Sequence, residues 1–172
     1  MLQQTRVEAV KPYYDRFIQN VPDIQALAEM EEDKLVKLWE GLGYYNRVRN
    51  LQKAAKAIVK EHEGKMPSEY ESLRELPGIG SYTAGAIASI AYGKAVPAVD
   101  GNVLRVLSRL RMDGEDILSQ KTKTRVEKEL REVIPVNRPG DFNQALMELG
   151  AMVCLPNGEP KCGECPWEAL CQ

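Results

Sequence analysis

Four cysteines span 18 residues near the end of the chain, in the pattern C-x7-C-x2-C-x5-C. They are Cys154, Cys162, Cys165 and Cys171. A thiolate is a strong ligand for soft metals, and such crowding favours a metal site over disulfides. The spacing leaves zinc and an iron–sulfur cluster equally open, because four cysteine ligands serve either one and only a single C-x2-C pair is present.

A second candidate site lies between residues 76 and 100, in the sequence LPGIGSYTAGAIASIAYGKAVPAVD. Pro77 ends the preceding helix, Gly78 and Gly80 permit a tight turn, and a new helix follows. Backbone N–H groups in such a turn and at a helix N-terminus have no partner within the helix, so they can bind a phosphate. Asp100 stands before another predicted helix. It is either an ordinary N-cap or a carboxylate available for chemistry.

Apolar residues at helical spacing predict the elements that position these sites. The stripes are Val7, Val10, Tyr14 and Phe17; Ile24, Leu27 and Ala28; Leu35, Leu38, Trp39 and Leu42; Val48, Leu51, Ala55, Ile58 and Val59; Val103, Val106, Leu107 and Leu110; Val126, Leu130 and Val133; Phe142, Ala145, Leu146 and Leu149. No stretch alternates as a strand would. The sequence therefore predicts an all-α chain of about nine helices joined by short polar loops.

The composition is that of a soluble globular protein, with 44% hydrophobic and 28% charged residues among 172. The chain has no apolar run of membrane-spanning length, and its start, MLQQTRVEAV, lacks the pattern of a signal peptide. We therefore expect a cytoplasmic protein with no membrane partner. The net charge of −2 gives no long-range attraction to DNA. The interval from Gly41 to Lys60 is basic and contains no acidic residue, which is typical of a solvated helix face or of a local binding face.

Three motifs in order carry a family resemblance: L-P-G-I-G-x-Y-T-A, then V-D-G-N-V-x-R-V, then the four cysteines. The chain resembles the helix-hairpin-helix DNA glycosylases of the endonuclease III superfamily, specifically the adenine glycosylases that remove adenine mispaired with 8-oxoguanine or guanine. The resemblance covers almost the whole chain. It implies a six-helix barrel module at 1–94, with the hairpin at 73–92, and a helical [4Fe–4S] module at 95–172, with a cysteine loop at 154–171.

The resemblance also implies roles for individual residues in breaking the N-glycosidic bond of a flipped adenine. Asp100 would stabilise the cationic sugar and help to position water. Tyr82 occupies the position where bifunctional relatives carry a nucleophilic lysine, which implies a monofunctional enzyme with Tyr82 in the adenine pocket. Gln144 matches a pocket residue, although a polar helix residue explains it equally well. Tyr44 matches an aromatic residue that wedges into the base stack.

The remaining implied DNA contacts are Leu2, Gln4, Thr5, Leu42, Arg47, Pro77, Gly78, Ile79, Gly80 and Lys161. The implied partner is double-stranded DNA with an oxidised mispair, bound by a monomer associated with a prokaryotic nucleoid. The implied cofactor is a [4Fe–4S] cluster in a structural role, with zinc as the alternative. The family usually has six residues between its first two cysteines, whereas this chain has seven.

One expectation concerns a missing general acid. In the family a catalytic Glu lies about two positions before the Met of the MLQQT motif, and this sequence begins at that Met. The family's preceding helix and its C-terminal 8-oxoguanine-recognition domain also have no counterpart. We expect weak or altered activity, because a positioned general acid contributes roughly 10²- to 10⁴-fold. The alternatives are a noncatalytic DNA lesion binder and a small iron–sulfur redox protein in which the hairpin only connects helices.

Overall fold

The computed structural model describes residues 1, 2, 5 and 7–172, which form two compact units. The first unit comprises Met1–Pro67 and Ser72–Ile79, and the second comprises Ser68–Glu71 and Gly80–Gln172. All regular structure in the described residues is helical, without a strand, so the predicted all-α class is confirmed. The predicted boundary between residues 94 and 95 stays a prediction. Within the same described part of the chain, no helix has the length and apolar character needed to cross a bilayer.

The described helices of the first unit follow the predicted stripes. They are α1 (Val7–Asn20), α2 (Ile24–Glu29), α3 (Glu32–Leu38), α4 (Asn46–Glu61) and the last four residues of α5 (Tyr70–Glu75). Asp23 caps α2, because its Oδ1 accepts the N–H of Ala26 at 2.7 Å. The helix α3 ends at Leu38, before Trp39 and Leu42 of the third stripe. In the loop that follows, the indole N–H of Trp39 donates to the Gly43 carbonyl at 3.1 Å.

The core of the first unit forms around Trp39, which is 2% exposed. The Phe17 ring meets the Trp39 ring edge-on, with centroids 6.2 Å apart. Gln52 is buried on α4 and donates to the carbonyls of Leu27 at 3.3 Å and Met30 at 2.6 Å. This side chain therefore ties α4 to the end of α2 and satisfies carbonyls that the helix leaves open.

In the second unit, two helices are each followed directly by a π-helical segment. Its described helices are α6 (Ser81–Ala86), continued by Ile87–Ala91; α7 (Gly101–Leu110); α8 (Gln120–Val133); α9 (Pro139–Glu148), continued by Leu149–Val153; and single 3₁₀ turns at Cys162–Glu164 and Glu168–Leu170. Its core consists of Val99, Val103, Leu104, Leu107, Val126, Leu130 and Leu146. The predicted stripes of α7 and α8 supply most of this core, although Val133 is 64% exposed.

Two buried glycines allow the backbone to approach closely beside Asp100. A Cβ on Gly85 would lie 2.2 Å from the Pro97 carbonyl oxygen, and one on Gly150 would lie 2.6 Å from the Asn102 Cβ. Neither distance is compatible with a side chain, so larger residues at these positions would push the segments apart. The glycines therefore fix the segments that lead into Asp100 and follow it.

Candidate active site

The glycine turn begins at the surface of the first unit. Pro77 and Gly78 are exposed, and the N–H of Ile79 donates to the Leu76 carbonyl at 3.1 Å. Gly78 has φ of +77°, and a Cβ there would lie 2.6 Å from the Asn50 Cβ. This position therefore requires glycine for its backbone conformation and for space.

The second unit begins with exposed Gly80, the N-cap residue of α6. Gly80 has an extended backbone with φ of −85°, and a Cβ there would meet open space. Neither the backbone conformation nor the space around Gly80 therefore requires a glycine. The predicted start of a helix at Ser81 is confirmed. Because glycine has no side chain, the first turn of α6 receives no side-chain cap from it.

Asp100 is the N-cap of α7, and both of its carboxylate oxygens accept hydrogen bonds. Oδ1 accepts the N–H of Val103 at 2.9 Å, and Oδ2 accepts an amide N–H of Asn102 at 2.9 Å. The side chain is partly exposed. The structural role considered for Asp100 is therefore confirmed, and the same two donors hold the carboxylate in one orientation.

A chain of hydrogen bonds leads from Asp100 to the cysteine loop. Asn102, whose amide donates to Asp100, accepts at Oδ1 from Nη2 of Arg105 at 2.9 Å. Arg105 also donates to the carbonyls of Gly150 at 2.7 Å and Cys154 at 3.1 Å. Our sequence analysis missed Asn102 and Arg105. Asn102 and Arg105 are three positions apart on α7, and this spacing is the signal that places their two side chains on one face.

Asn143, which was also missed, holds the segment before Asp100. Its side chain has no exposed surface, and Oδ1 accepts the N–H of Ala98 at 3.0 Å. Its Nδ2 donates to the Ser89 hydroxyl at 2.8 Å and to the Val96 carbonyl at 2.9 Å. The Ser89 hydroxyl in turn donates to the Gly85 carbonyl at 2.7 Å. One amide therefore joins α9, the π-helical continuation of α6 and residues 96–98, which lead to Asp100.

Tyr82 lies near Asp100 in the second unit. Burial, and after it the negative charge of Asp100, raises the pKa of the Tyr82 phenol above its usual value. The phenol therefore stays neutral at physiological pH, and its hydroxyl donates to the Met147 sulfur at 3.3 Å. A neutral phenol offers a hydrogen bond and a ring face, whereas a lysine amine would be a nucleophile.

The other site residues predicted in the second unit lie at the surface. Gln144 is exposed on α9 and donates to the Gly140 carbonyl one turn earlier, at 3.3 Å. Lys161 is exposed and lies 3.8 Å from a carboxylate oxygen of Glu164.

An apolar groove of about 360 Å³ runs beside α9, lined by Phe142, Ala145, Leu146, Glu148, Leu149, Met152, Val153, Pro166 and Trp167. Neither Asp100 nor Tyr82 lines this groove.

Four of the predicted DNA contacts come together in the first unit. Tyr44 projects from it with 68% of its surface exposed. Leu42 is only 7% exposed and packs in the core, so the DNA contact predicted for it stays a prediction. Arg47 donates to the Leu42 carbonyl at 3.0 Å and to the Thr5 hydroxyl at 3.3 Å. Leu2 is 58% exposed, and Gln4 lies outside the described residues.

The four cysteines carry free thiols, and two of them contact Arg109. Cys154 Sγ accepts from Nη1 of Arg109 at 3.3 Å, and Cys171 Sγ donates to the Arg109 carbonyl at 3.9 Å. Cys165 donates its N–H to the Cys162 carbonyl at 2.8 Å. The described side chains do not bring three potential ligands to a common metal point. As a set of ligands, four thiols within 18 residues fit a thiolate-bound metal group. The Arg109 guanidinium next to the Cys154 sulfur is the kind of hydrogen-bond donor that such a sulfur favours.

Comparison with known proteins decides the family. Residues 1–136 match the HhH-GPD superfamily of base excision DNA repair proteins. The chain belongs to this superfamily. The match includes the glycine turn, Tyr82 and Asp100, whereas the four cysteines lie beyond it.

Curated relatives in this superfamily are similar along the whole chain. The human adenine DNA glycosylase is 49% identical over 173 residues, which cover 100% of this chain and 32% of the relative. The adenine DNA glycosylase of Buchnera aphidicola subsp. Acyrthosiphon pisum is 39% identical over 171 residues, which cover 99% of this chain and 49% of the relative. The chain thus spans between a third and a half of the length of these two relatives.

Solved structures of glycosylases share this fold. A thermostable thymine-DNA glycosylase superposes with a TM-score of 0.87 at 27% identity, over 99% of this chain and 78% of that one. A trapped covalent intermediate of endonuclease III with DNA, in an estranged-adenine complex, gives a TM-score of 0.83 at 26% identity over the same shares. The prediction that this chain has the helix-hairpin-helix glycosylase fold is therefore confirmed.

Proposed function

We propose that this chain acts as a monofunctional DNA glycosylase of base excision repair, which removes adenine mispaired with 8-oxoguanine or guanine. The observation that carries the proposal is the Asp100 carboxylate, held by two donors close to Tyr82. The 49% identity to the human adenine DNA glycosylase supports the choice of adenine as the base.

The chemistry asked of Asp100 is electrostatic. When the bond between the sugar and adenine lengthens, positive charge develops on the sugar, as in other oxocarbenium-like cleavages. A carboxylate whose orientation is already fixed stabilises that charge without reorganising during the reaction. Water then forms a bond to the sugar carbon and gives up one proton, while adenine leaves with the electron pair of the broken bond and takes up one proton from solvent. Tyr82 has no amine, so no Schiff base forms and the strand is not cut in a linked step.

DNA binding in this proposal uses surfaces that are accessible in each unit. Pro77, Gly78 and Gly80 are exposed, as a turn that receives a phosphate must be. On α4 the exposed side chains of Lys53, Lys56 and Lys60 form a local basic face, although the chain carries a net charge of −2. We expect duplex affinity to fall with salt, since bound phosphates release counterions. The proposed bound form is a monomer, in the cytoplasm.

A second candidate function is noncatalytic binding of a DNA lesion or mismatch. The observation that favours it is that the N-cap role accounts for the position of Asp100 without any chemistry. A binder of this kind would keep the glycine turn, Tyr44 and the basic face of α4, and it would release no base.

One assay separates the two functions. Purified protein is incubated under single-turnover conditions with a duplex containing adenine opposite 8-oxoguanine, and free adenine is measured. Asp100→Asn is the test variant, because asparagine caps a helix about as well as aspartate. It removes the charge together with the oxygen that accepts from Asn102. Asp23→Asn is the matched control, since Asp23 caps α2 in the same way.

Base release by the wild type and by Asp23→Asn, with loss of about 10²-fold or more in Asp100→Asn, supports the glycosylase. Tight binding without release by any of the three proteins supports the binder. Release that is unchanged in Asp100→Asn contradicts the catalytic role of Asp100.

The cofactor proposed for the second unit is a [4Fe–4S] cluster held by Cys154, Cys162, Cys165 and Cys171. When bound, it would cross-link a segment that has little regular structure and few buried apolar residues of its own. Arg109 supports this proposal, because a guanidinium next to a thiolate offsets negative charge. Iron and acid-labile sulfide in anaerobically purified protein would support the cluster, whereas one zinc per chain without sulfide would support zinc.

A further inference from the structure

Arg47 was predicted to touch DNA, but its guanidinium bonds to the protein's own backbone. Its Nη1 donates to the Met1 carbonyl at 2.9 Å. Its Nη2 donates to the carbonyls of Leu42 at 3.0 Å and Gly43 at 3.3 Å and to the Thr5 hydroxyl at 3.3 Å. Both terminal nitrogens therefore connect the start of the chain to residues 41–45, which we call the Tyr44 loop.

The same guanidinium lies between two aromatic rings. It is 5.3 Å from the centroid of the buried Trp39 ring and 5.8 Å from that of the exposed Tyr44 ring. Both distances are within the range of a cation–π interaction. Arg47 thus joins the core of the first unit to the exposed aromatic side chain of the loop.

The Tyr44 loop needs such support because its backbone is unfavourable without it. Gly41, Gly43 and Tyr44 have φ values of +101°, +68° and +48°. Glycine adopts positive φ readily, whereas a residue as bulky as tyrosine does so only when its surroundings hold it there. The Arg47 guanidinium donates to the two carbonyls just before Tyr44. The Trp39 indole also donates to the Gly43 carbonyl, at 3.1 Å, and the Arg47 backbone N–H donates to the Tyr44 carbonyl at 2.9 Å. Of these donors, the guanidinium alone also bonds to the start of the chain.

We propose that Arg47 is a positioning residue, whose guanidinium locks the Tyr44 loop so that Tyr44 can report whether a base pair is damaged. The second part of this proposal rests on the proposed function, since it takes Tyr44 as the residue that enters the base stack. In contrast to a phosphate contact, Arg47 then contributes to discrimination between DNA sites and not to overall electrostatic affinity.

The first experiment tests the lock in free protein, without DNA. Hydrogen–deuterium exchange is followed in a peptide covering residues 40–46, in which the N–H of Leu42 donates to the Trp39 carbonyl at 3.1 Å. Arg47→Gln is expected to speed exchange in this peptide at least about tenfold, because the loop opens more often. Lys53→Gln is the matched control: it removes an exposed charge on the same helix and should leave exchange unchanged.

Arg47→Lys keeps the charge and tests the geometry. A lysine ammonium is a point charge without the planar fork of arginine, so it cannot reach both loop carbonyls and the start of the chain together. We expect its exchange to lie between those of the wild type and Arg47→Gln. If Arg47→Gln exchanges quickly in every peptide because it does not fold, Arg47→Lys decides the question. Wild-type exchange at 40–46 in the folded variants would overturn the lock.

The second experiment measures equilibrium affinity for a duplex with adenine opposite 8-oxoguanine and for a normal duplex, at several salt concentrations. Arg47→Gln should reduce the ratio of the two affinities about tenfold and leave the salt slope unchanged. Tyr44→Ala should reduce the ratio similarly, and adding Arg47→Gln to it should have no further effect, because the two residues act through one loop.

A salt slope that falls by about 1 in Arg47→Gln and recovers in Arg47→Lys would overturn the proposal in favour of a phosphate contact. Additive losses in the double variant would overturn it as well. If the wild type shows no preference for the damaged duplex, the proposed function and the recognition part fail together. The exchange experiment then still decides whether Arg47 locks the loop.

Discussion

Replacing Asn143 with alanine should lower the free energy of unfolding by about 2–6 kcal/mol. The N–H of Ala98 is buried with 1% exposure and would lose its acceptor, which costs about 1–3 kcal/mol. The Val96 carbonyl and the Ser89 hydroxyl would each lose a donor, at about 0.5–1.5 kcal/mol apiece. For a chain of this size the loss corresponds to a decrease in Tm of roughly 10 °C.

The measurement is urea denaturation followed by circular dichroism, with exchange of the Ala98 amide as the local readout. Gln144→Ala is the control for stability, because Gln144 is the next residue on α9 and is exposed. It should stay within about 0.5 kcal/mol of the wild type. The Ala98 amide should lose protection in Asn143→Ala and keep it in the control.

Asn143→Asp sharpens the test. An aspartate keeps the acceptor for Ala98 but loses both amide donors and places a charge where no surface is exposed. At neutral pH it should be at least as destabilising as Asn143→Ala, because a buried unpaired charge is costly. A loss of less than about 1 kcal/mol in both variants would refute the reasoning, since it would mean that the surrounding backbone does not depend on this amide.

Three further predictions concern the neighbourhood of Asp100. Gly85→Ala should lower the free energy of unfolding by about 1–3 kcal/mol in urea denaturation, since the alanine Cβ would overlap the Pro97 carbonyl. An unchanged denaturation midpoint would show that α6 and the segment around Pro97 can move apart freely. The raised pKa of Tyr82 means that its contribution to stability is complete below about pH 10 and is lost as pH rises through the folded-state value. The stability difference between wild type and Tyr82→Phe should therefore fall with pH above about 10, and a flat difference would contradict the pKa shift. Arg105→Gln should lower the free energy of unfolding by about 2 kcal/mol and speed amide exchange at residues 150–155, because Arg105 donates to the carbonyls of Gly150 and Cys154. Unchanged exchange at these residues would mean that the two hydrogen bonds do not hold the cysteine loop.

Helix content and helix starts could be predicted because their signals are local. Asp23 and Asp100 stand directly before apolar stripes, and each accepts a backbone N–H three residues ahead. Ser81 follows a proline and two glycines, and α6 begins there. In each case the residue that fixes the element and the element itself are within one turn of one another, so the sequence contains both partners side by side.

The contacts that organise the candidate site could not be predicted in this way. Asn143 bonds to Ser89 across 54 positions of sequence, and Arg47 bonds to the Met1 carbonyl across 46. Neither residue has a neighbour that indicates its partner. A lone polar residue on a helix is most often solvated, and only the packed structure distinguishes it from a buried amide or an internal guanidinium.

The structural and chemical interpretations of Asp100 were alternatives in the sequence, but the geometry makes them compatible. Capping uses Oδ1, which accepts the Val103 N–H, while Oδ2 accepts from Asn102 and remains beside the partly exposed end of α7. The cap therefore supplies what catalysis by a carboxylate requires, namely an orientation fixed before substrate arrives. Because asparagine preserves the cap and removes the charge, the two roles can be separated in one protein. If α7 stays stable in Asp100→Asn while base release is lost, the reaction requires the negative charge at this position and not only the helix cap.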